Sequence, residues 1–295
     1  PIALITSTPD FSWEMVTSTP KIVAEGADAS GYASLVSGRG ANSIISDLAW
    51  ALGYFGMPHI LVRFMAIKDA KSVKKSAIIA IVWVIISLGA AVLIGILGRV
   101  YLDSIGVTLA GNQQELIFID VVKRLFPGAL AGVFLSAVLA SIMSTADSQL
   151  LVTASAVVND FYKVIVKKET SDKKLMWISR GAVMVISVIA CILALDPKDS
   201  IMGIVSNAWA GFGAAFGPAI ILSLYWRRLT LKGTVAGIIG GAATVIVWEY
   251  VLHWSGMLYS IVPGFIVSIL LTVIVSLIDK EPSDEVKALF DEARK

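Results

Sequence analysis

Charge is scarce in this sequence. Lys, Arg, Asp and Glu supply 16% of its 295 residues, against about 25% in a soluble domain. The net charge of +2 is too small to grip a nucleic-acid backbone, so no nucleic-acid partner is expected. Cysteine is nearly absent. Cys191 stands alone in an apolar run, which excludes an internal disulfide and leaves no thiolate cluster for a metal. The two histidines, His59 and His253, have no catalytic partner at motif spacing. GxxxxGK, HExxH and GxSxG are all missing, and an enzyme is not expected. A basic leader is lacking too. The chain opens at Pro1, and Ile2–Ile5 reads as the tail of an apolar segment. The expectation is a fragment whose amino-terminal half is missing.

What the sequence has is apolar length. Hydrophobic residues make up 57% and the mean hydropathy is +0.81, beyond what a water-solvated core of this size needs, so a lipid bilayer is the expected solvent. Seven stretches are long enough to cross it: Ile44–Met65, Ala77–Gly98, Ala129–Val158, Ile178–Leu195, Ile204–Trp226, Val235–Leu252 and Ile261–Ile278. None alternates with a two-residue period, which argues against a barrel. The predicted fold class is an all-α integral membrane protein. The outer segment Val107–Pro127 is polar, then amphipathic, and predicts a short helix lying over the bundle. Asp279–Lys295 reads as a solvated tail, either an amphipathic helix or disordered.

The basic residues alternate from loop to loop. Eighteen of the 24 Lys and Arg follow the first, third, fifth and seventh stretches, and six lie on the opposite side. Basic loops are cytoplasmic, so the tail is predicted inside and the amino-terminal loop outside, in the plasma (inner) membrane. Trp248, Tyr250, Trp254 and Tyr259 sit at the outer end of the last two stretches and read as an interfacial aromatic belt.

Three places could carry chemistry. Trp50-Ala-Leu-Gly-Tyr54-Phe-Gly-Met-Pro58 puts two glycines and a proline within six residues. Broken backbone in a membrane survives only against protein or a water-filled cavity, and transporters use such breaks to bind solute. Trp50, Tyr54 and Pro58, at i, i+4 and i+8, are predicted to share one face; close helix packing explains the same residues. In the third stretch Ser141, Ser144, Thr145 and Ser148 fall on one helical stripe. Hydroxyl and carbonyl oxygens suit a hard cation, although small hydroxylated residues also line ordinary membrane helix contacts. Asp147 favours the ion reading. It lies about 20 Å along the helix from Asp160, no Lys or Arg stands at comparable depth, and a mid-membrane carboxylate is a functional candidate by default. Finally, Asn207–Pro218 holds Gly213, Gly217 and Pro218, a hinge or gate lining or else tight packing.

The stretches Trp50–Ala66, Ser144–Thr153 and Ala208–Pro218 closely resemble the sodium:solute symporter family, and within it the members that carry proline. The likeness runs almost end to end. It implies a LeuT-like fold of two inverted five-helix repeats plus extra helices. On that reading the first five stretches are the second repeat and the last two are peripheral. The implied division is 1–40 as the end of a truncated helix and an outer loop, 41–226 as the repeat, 227–278 as two peripheral helices and 279–295 as tail. The resemblance implies that Trp50, Tyr54 and Pro58 bind solute. It implies that Ser144 and Thr145 give hydroxyls, and Ser141 a backbone carbonyl, to the main sodium site. Asp147 and Ser148 match positions of a second sodium site found in some relatives. The expected function is symport: Na+ moving inward drives uptake of a small amino acid, proline first among them. A symporter for another small solute, a transporter-like sensor and a passive channel are the competing classes.

Overall fold

The computed structural model describes residues 1–18, 39–107, 111–166, 171–195 and 201–293. Lys21, Lys167, Lys168, Lys198, Arg294 and Lys295, which enter the charge alternation, lie outside the described residues. The helices are α1 Ile2–Ser7, α2 Glu14–Ser18, α3 Ala41–Gly53, α4 Pro58–Met65, α5 Ala70–Ser104, α6 Ile117–Leu125, α7 Gly128–Ala156, α8 Lys163–Val166, α9 Asp172–Ala194, α10 Ile201–Tyr225, α11 Leu231–Ile246, α12 Ile261–Ile278 and α13 Asp284–Ala293. No strand forms among the described residues. Single π turns extend α7 over Val157–Tyr162 and α11 over Val247–Val251.

Six helices among the described residues are long and apolar enough to cross a membrane: α5, α7, α9, α10, α11 and α12. The last matches the predicted stretch Ile261–Ile278 residue for residue. The first predicted stretch differs. It is two helices, α3 and α4, separated at Tyr54–Met57, so neither alone reaches spanning length.

The chain forms two compact units, Pro1–Ser37 with Lys68–Pro197, and Gly38–Ile67 with Lys198–Lys295. In the first, α5 is the long element, 35 residues begun by Asp69, whose carboxylate accepts from the Ser72 N–H at 2.8 Å. Its carboxyl-terminal end packs on α1 and α6 through Leu4, Leu97, Tyr101, Leu102 and Val121. Arg99, buried there, donates to the Val16 carbonyl at 2.6 Å. This is the amphipathic segment expected between Val107 and Pro127, folded as a 3-10 turn, Gly111–Leu116, leading into α6. The apolar cores of α5 and α9 bury none of their residues within the protein. Surface that apolar on every side requires lipid or another apolar partner.

In the second unit α10, α11 and α12 pack together, with α3 against α10 and α12. α11 and α12 meet along a small-residue seam, and Gly233, Gly237 and Gly241 lie against Ser276, Thr272 and Ser268. Each pair steps by one four-residue turn in opposite directions, as antiparallel helices must. Thr230 caps α11, accepting from the Gly233 N–H at 3.1 Å, and its own N–H donates to the Ser276 hydroxyl at 3.2 Å. Pro218 sits inside α10 and leaves the Ala214 carbonyl without its helical donor. Gly241 approaches that carbonyl so closely that a side chain there would collide with it.

The tail is helical. It lies against the loop after α10 and the first turn of α11 through ion pairs: Arg227–Asp291 at 2.6 Å, Arg228–Glu281 at 2.8 Å and Lys232–Asp279 at 2.9 Å. Lys287 adds a pair to Glu281 at 2.8 Å. The hydrogen bond from Lys232 holds the Asp279 carboxyl below its usual range, and that from Lys287 does the same for Glu281.

Two expectations follow. A methyl on Gly237 would land on the Thr272 hydroxyl and 2.9 Å from the Ser268 carbonyl. Gly237→Ala should therefore destabilise the protein by about 1–3 kcal/mol, read as a lower melting temperature in detergent. Gly89→Ala, with open space around it, should not; equal melting of the two variants would refute the seam. The tail should respond to pH. A carboxylate with a depressed folded pKa stabilises above its ordinary pKa and loses that contribution as pH falls through the folded value. A spin label at Ala288 should gain mobility as pH drops from about 5 to about 2, and at pH 7 in molar salt, where charges are screened within about 3 Å. Unchanged mobility under both conditions would show that the ion pairs do not hold the tail.

Candidate functional site

The break between α3 and α4 follows from its residues. The N–H groups of Tyr54, Phe55 and Gly56 reach back three residues, to the Ala51, Leu52 and Gly53 carbonyls at 3.4, 3.4 and 3.0 Å. An α-helix would reach back four. Met57 is extended, with φ −83° and ψ 115°, as the residue before proline prefers. Pro58 opens α4 in its first turn, where a missing N–H costs nothing. The expected common face of Trp50, Tyr54 and Pro58 is therefore corrected: an eight-residue spacing aligns side chains only along an unbroken helix, and Pro58 lies beyond the break.

Trp50 and Tyr54 are nevertheless brought together, by Trp209 of α10. The Trp50 and Trp209 rings stack at 5.3 Å and 13°, and Tyr54 meets Trp209 edge-on at 4.8 Å and 84°. The Trp209 Nε1–H donates to the Trp50 carbonyl at 2.8 Å. Trp209 is 8% exposed and Tyr54 51%, so Trp209 forms the wall of the cluster and Tyr54 its open face. Trp50 also meets Tyr259, stacked at 6.1 Å and 16°, with its hydroxyl donating to the Ser206 carbonyl of α10 at 2.6 Å. Burial pushes the Tyr259 phenol well above its ordinary pKa, with the Glu249 charge adding to the shift, so it remains a donor at any physiological pH.

Gly53 and Gly213 make this approach possible. A side chain on Gly53 would strike the Trp209 indole, and one on Gly213 would stand 2.7 Å from the Gly53 Cα. For Gly213 and Gly217 the packing alternative is the one observed; Gly217 lies against Phe265.

The sequence pattern marks Tyr259 as interfacial belt and gives Trp209 no role. Of that belt, Trp248 and Trp254 pack edge-to-face at 5.1 Å, and Tyr259 turns inward. Nothing in local spacing joins Trp50 to partners 159 and 209 residues later.

The hydroxyl stripe lies in the other unit, on α7, with Ser141, Ser144, Thr145, Asp147 and Ser148 all exposed. The Thr145 hydroxyl donates to the Ser141 carbonyl at 3.1 Å, and the Ser148 hydroxyl to the Ser144 carbonyl at 2.9 Å. Each hydroxyl thus spends its proton on its own helix and keeps its lone pairs. Ser141 O and Thr145 Oγ1 stand 3.1 Å apart, close enough to share one hard cation at about 2.4 Å once the hydroxyl turns its proton away from the carbonyl. Asp147 and Ser148 line a separate cleft of about 370 Å³ with Leu150, Leu151 and Val183 of α9.

The sequence pattern of the sodium:solute symporter family matches residues 11–241. The osmoregulated proline transporter OpuE of Bacillus subtilis is 49% identical over 257 residues, which are 87% of this chain and 52% of that protein. The high-affinity proline transporter PutP of the same organism is 45% identical over 88% of this chain and 54% of its own length. The sodium/proline symporter of Escherichia coli is 44% identical, over 88% and 52%. The chain spans about half the length of the curated relatives it matches. No solved structure matches it.

Proposed function

We propose that this chain, which belongs to the sodium:solute symporter family and is a multi-pass membrane protein, forms part of a carrier in which sodium entry drives import of a small amino acid, most simply proline. The observation that carries the reading is the break at Tyr54–Met57 beside the Trp50–Trp209–Tyr54 cluster. A helix opened within an apolar sequence exposes backbone dipoles. The amino-terminal end of α4 favours a carboxylate, and the aromatic faces suit an apolar ring or an ammonium group. The proline-related names of the relatives support the choice of solute.

Sodium is the proposed coupling ion. Ser141 offers its carbonyl and Ser144 and Thr145 their hydroxyls, all neutral oxygens that bind a monovalent cation without trapping it. Asp147 and Ser148 are proposed for a second ion, supported by their shared cleft. The energy suffices. At about −100 mV one inward charge contributes about 2.3 kcal/mol, and a tenfold sodium gradient about 1.4 kcal/mol. Their total, about 3.7 kcal/mol, sustains roughly 500-fold accumulation at one-to-one coupling.

The finer architecture is proposed on the family resemblance. It is a LeuT-like arrangement in which α3 and α4 together make a seventh crossing, residues 41–226 form one five-helix repeat, 227–278 two peripheral helices and 279–295 a cytoplasmic tail. Most of the expected outer loop within 1–40, residues 19–38, lies outside the described residues. The orientation rests on the basic loops. A lone cysteine at Ser72, with Cys191 removed, should resist an impermeant thiol reagent in whole cells, and one at Ser255 should react. Ready labelling at Ser72 would overturn the topology.

The function is tested by a double dissociation in the complete reading frame. Ser144→Ala and Thr145→Ala each remove one oxygen from a desolvated cation, a charge-assisted contact worth about 1.5–3 kcal/mol. Each should raise the half-saturating sodium concentration by about one to two orders of magnitude, and high sodium should rescue solute uptake. Trp50→Ala and Tyr54→Ala should raise the half-saturating proline concentration far more than that of sodium. Uptake of labelled proline, normalised to protein in the membrane, reads both. Unchanged sodium dependence removes Ser144 and Thr145 from the ion site, and unchanged proline dependence makes Trp50 and Tyr54 packing residues.

A further inference from the structure

We infer that Trp209 is a positioning residue for the solute site: by holding the carbonyl that the helix break releases at Trp50, it fixes the two aromatic side chains that face the solute. The inference rests on the solute reading of Trp50 and Tyr54 given above.

The α-helical donor for the Trp50 carbonyl would be the Tyr54 N–H. That N–H instead points to Ala51 at 3.4 Å, because the chain leaves the helix at Gly53. An apolar surrounding offers a released carbonyl no water, so a protein donor has to replace it. Trp209 Nε1 is that donor, at 2.8 Å. Indole is well matched to the task. Its one N–H satisfies the carbonyl, its face covers the Trp50 ring at 13°, and its ring receives the edge of Tyr54. Gly53 supplies the room, since any side chain there would occupy the indole's place. One residue of α10 therefore sets both the direction of the α3 terminus and the relative angle of two rings, while staying buried itself. Tyr259 also stacks on Trp50 and is itself tied to α10 through its bond to the Ser206 carbonyl.

A residue that only fills space would affect abundance and melting. A positioning residue changes how well solute fits. Trp209→Phe keeps an aromatic face and loses the N–H. In the complete reading frame it should raise the half-saturating proline concentration about fivefold to tenfold, the worth of one buried hydrogen bond. Half-saturating sodium, measured at saturating proline, should stay unchanged. Equilibrium binding of labelled proline per mole of purified protein gives the same reading if abundance falls. Should Trp50→Ala shift the proline dependence while Trp209→Phe and Trp209→Ala both leave it unchanged, Trp209 is packing and the inference fails alone. Should Trp50→Ala also leave it unchanged, the solute reading beneath it fails.

Discussion

A carbonyl released from its helix in an apolar surrounding must find a protein donor, and much of the second unit is arranged around that requirement. The Trp50 carbonyl is taken by an indole N–H from α10. The Ala214 carbonyl, left without its helical donor by Pro218, lies against Gly241 of α11. Lipid cannot supply what water would, and at both of these irregular points a residue of a neighbouring helix comes close. That is why irregularity and close packing occur together here. The break at Tyr54–Met57 lies beside the tight approach of Gly53 to Gly213, and Pro218 beside that of α10 to α11.

The same requirement shapes the hydroxyls. Thr145, Ser148, Thr153, Thr244 and Thr272 each donate to the carbonyl four residues earlier, at 2.7–3.1 Å. A hydroxyl bonded this way is already satisfied as a donor, and its remaining lone pairs decide its use. At Thr272, fully buried against Gly237, they face protein and the residue is packing. At Thr145 and Ser148, on the exposed side of α7, they are available to a cation. Local chemistry is identical in the two cases; burial separates them.

That separation sets what the sequence could reveal. Apolar runs fix the helices because their length is a local property, and Ile261–Ile278 was legible to the residue. The amphipathic α6 was legible from its local pattern, and for α13 the helix was one of two open alternatives. The break after Gly53 was legible as weakness, from two glycines and a proline, but its consequence for side-chain direction was not, and the shared face of Trp50, Tyr54 and Pro58 did not survive it. Least visible were contacts between distant segments. Tyr259 reads as membrane belt and Trp209 carries no role of its own, because their partner at Trp50 lies 209 and 159 residues away. The Gly233–Gly237–Gly241 seam was present in the sequence as a four-residue spacing of glycine, yet its meaning appears only when Ser276, Thr272 and Ser268 stand opposite.

The two proposed sites differ in how complete they are within their own units, and the difference bears on coupling. The aromatic side is braced: Trp50 is gripped through its ring and its carbonyl by residues of α10 and the segment before α12. The ion side is one exposed helical stripe. One helix presents at most about half of the oxygen shell a hard cation takes, so the proposed sodium ligands Ser141, Ser144 and Thr145 would hold the ion firmly only when another element or water closes the shell. A braced solute wall needs little rearrangement to bind. A half-shell pays for ordering its other half, and that is where ion affinity becomes tied to conformation. If closing the shell and seating the solute favour the same conformation, each ligand raises the affinity for the other by the same factor. Coupling then requires no contact between solute and ion, only a shared preference for one state.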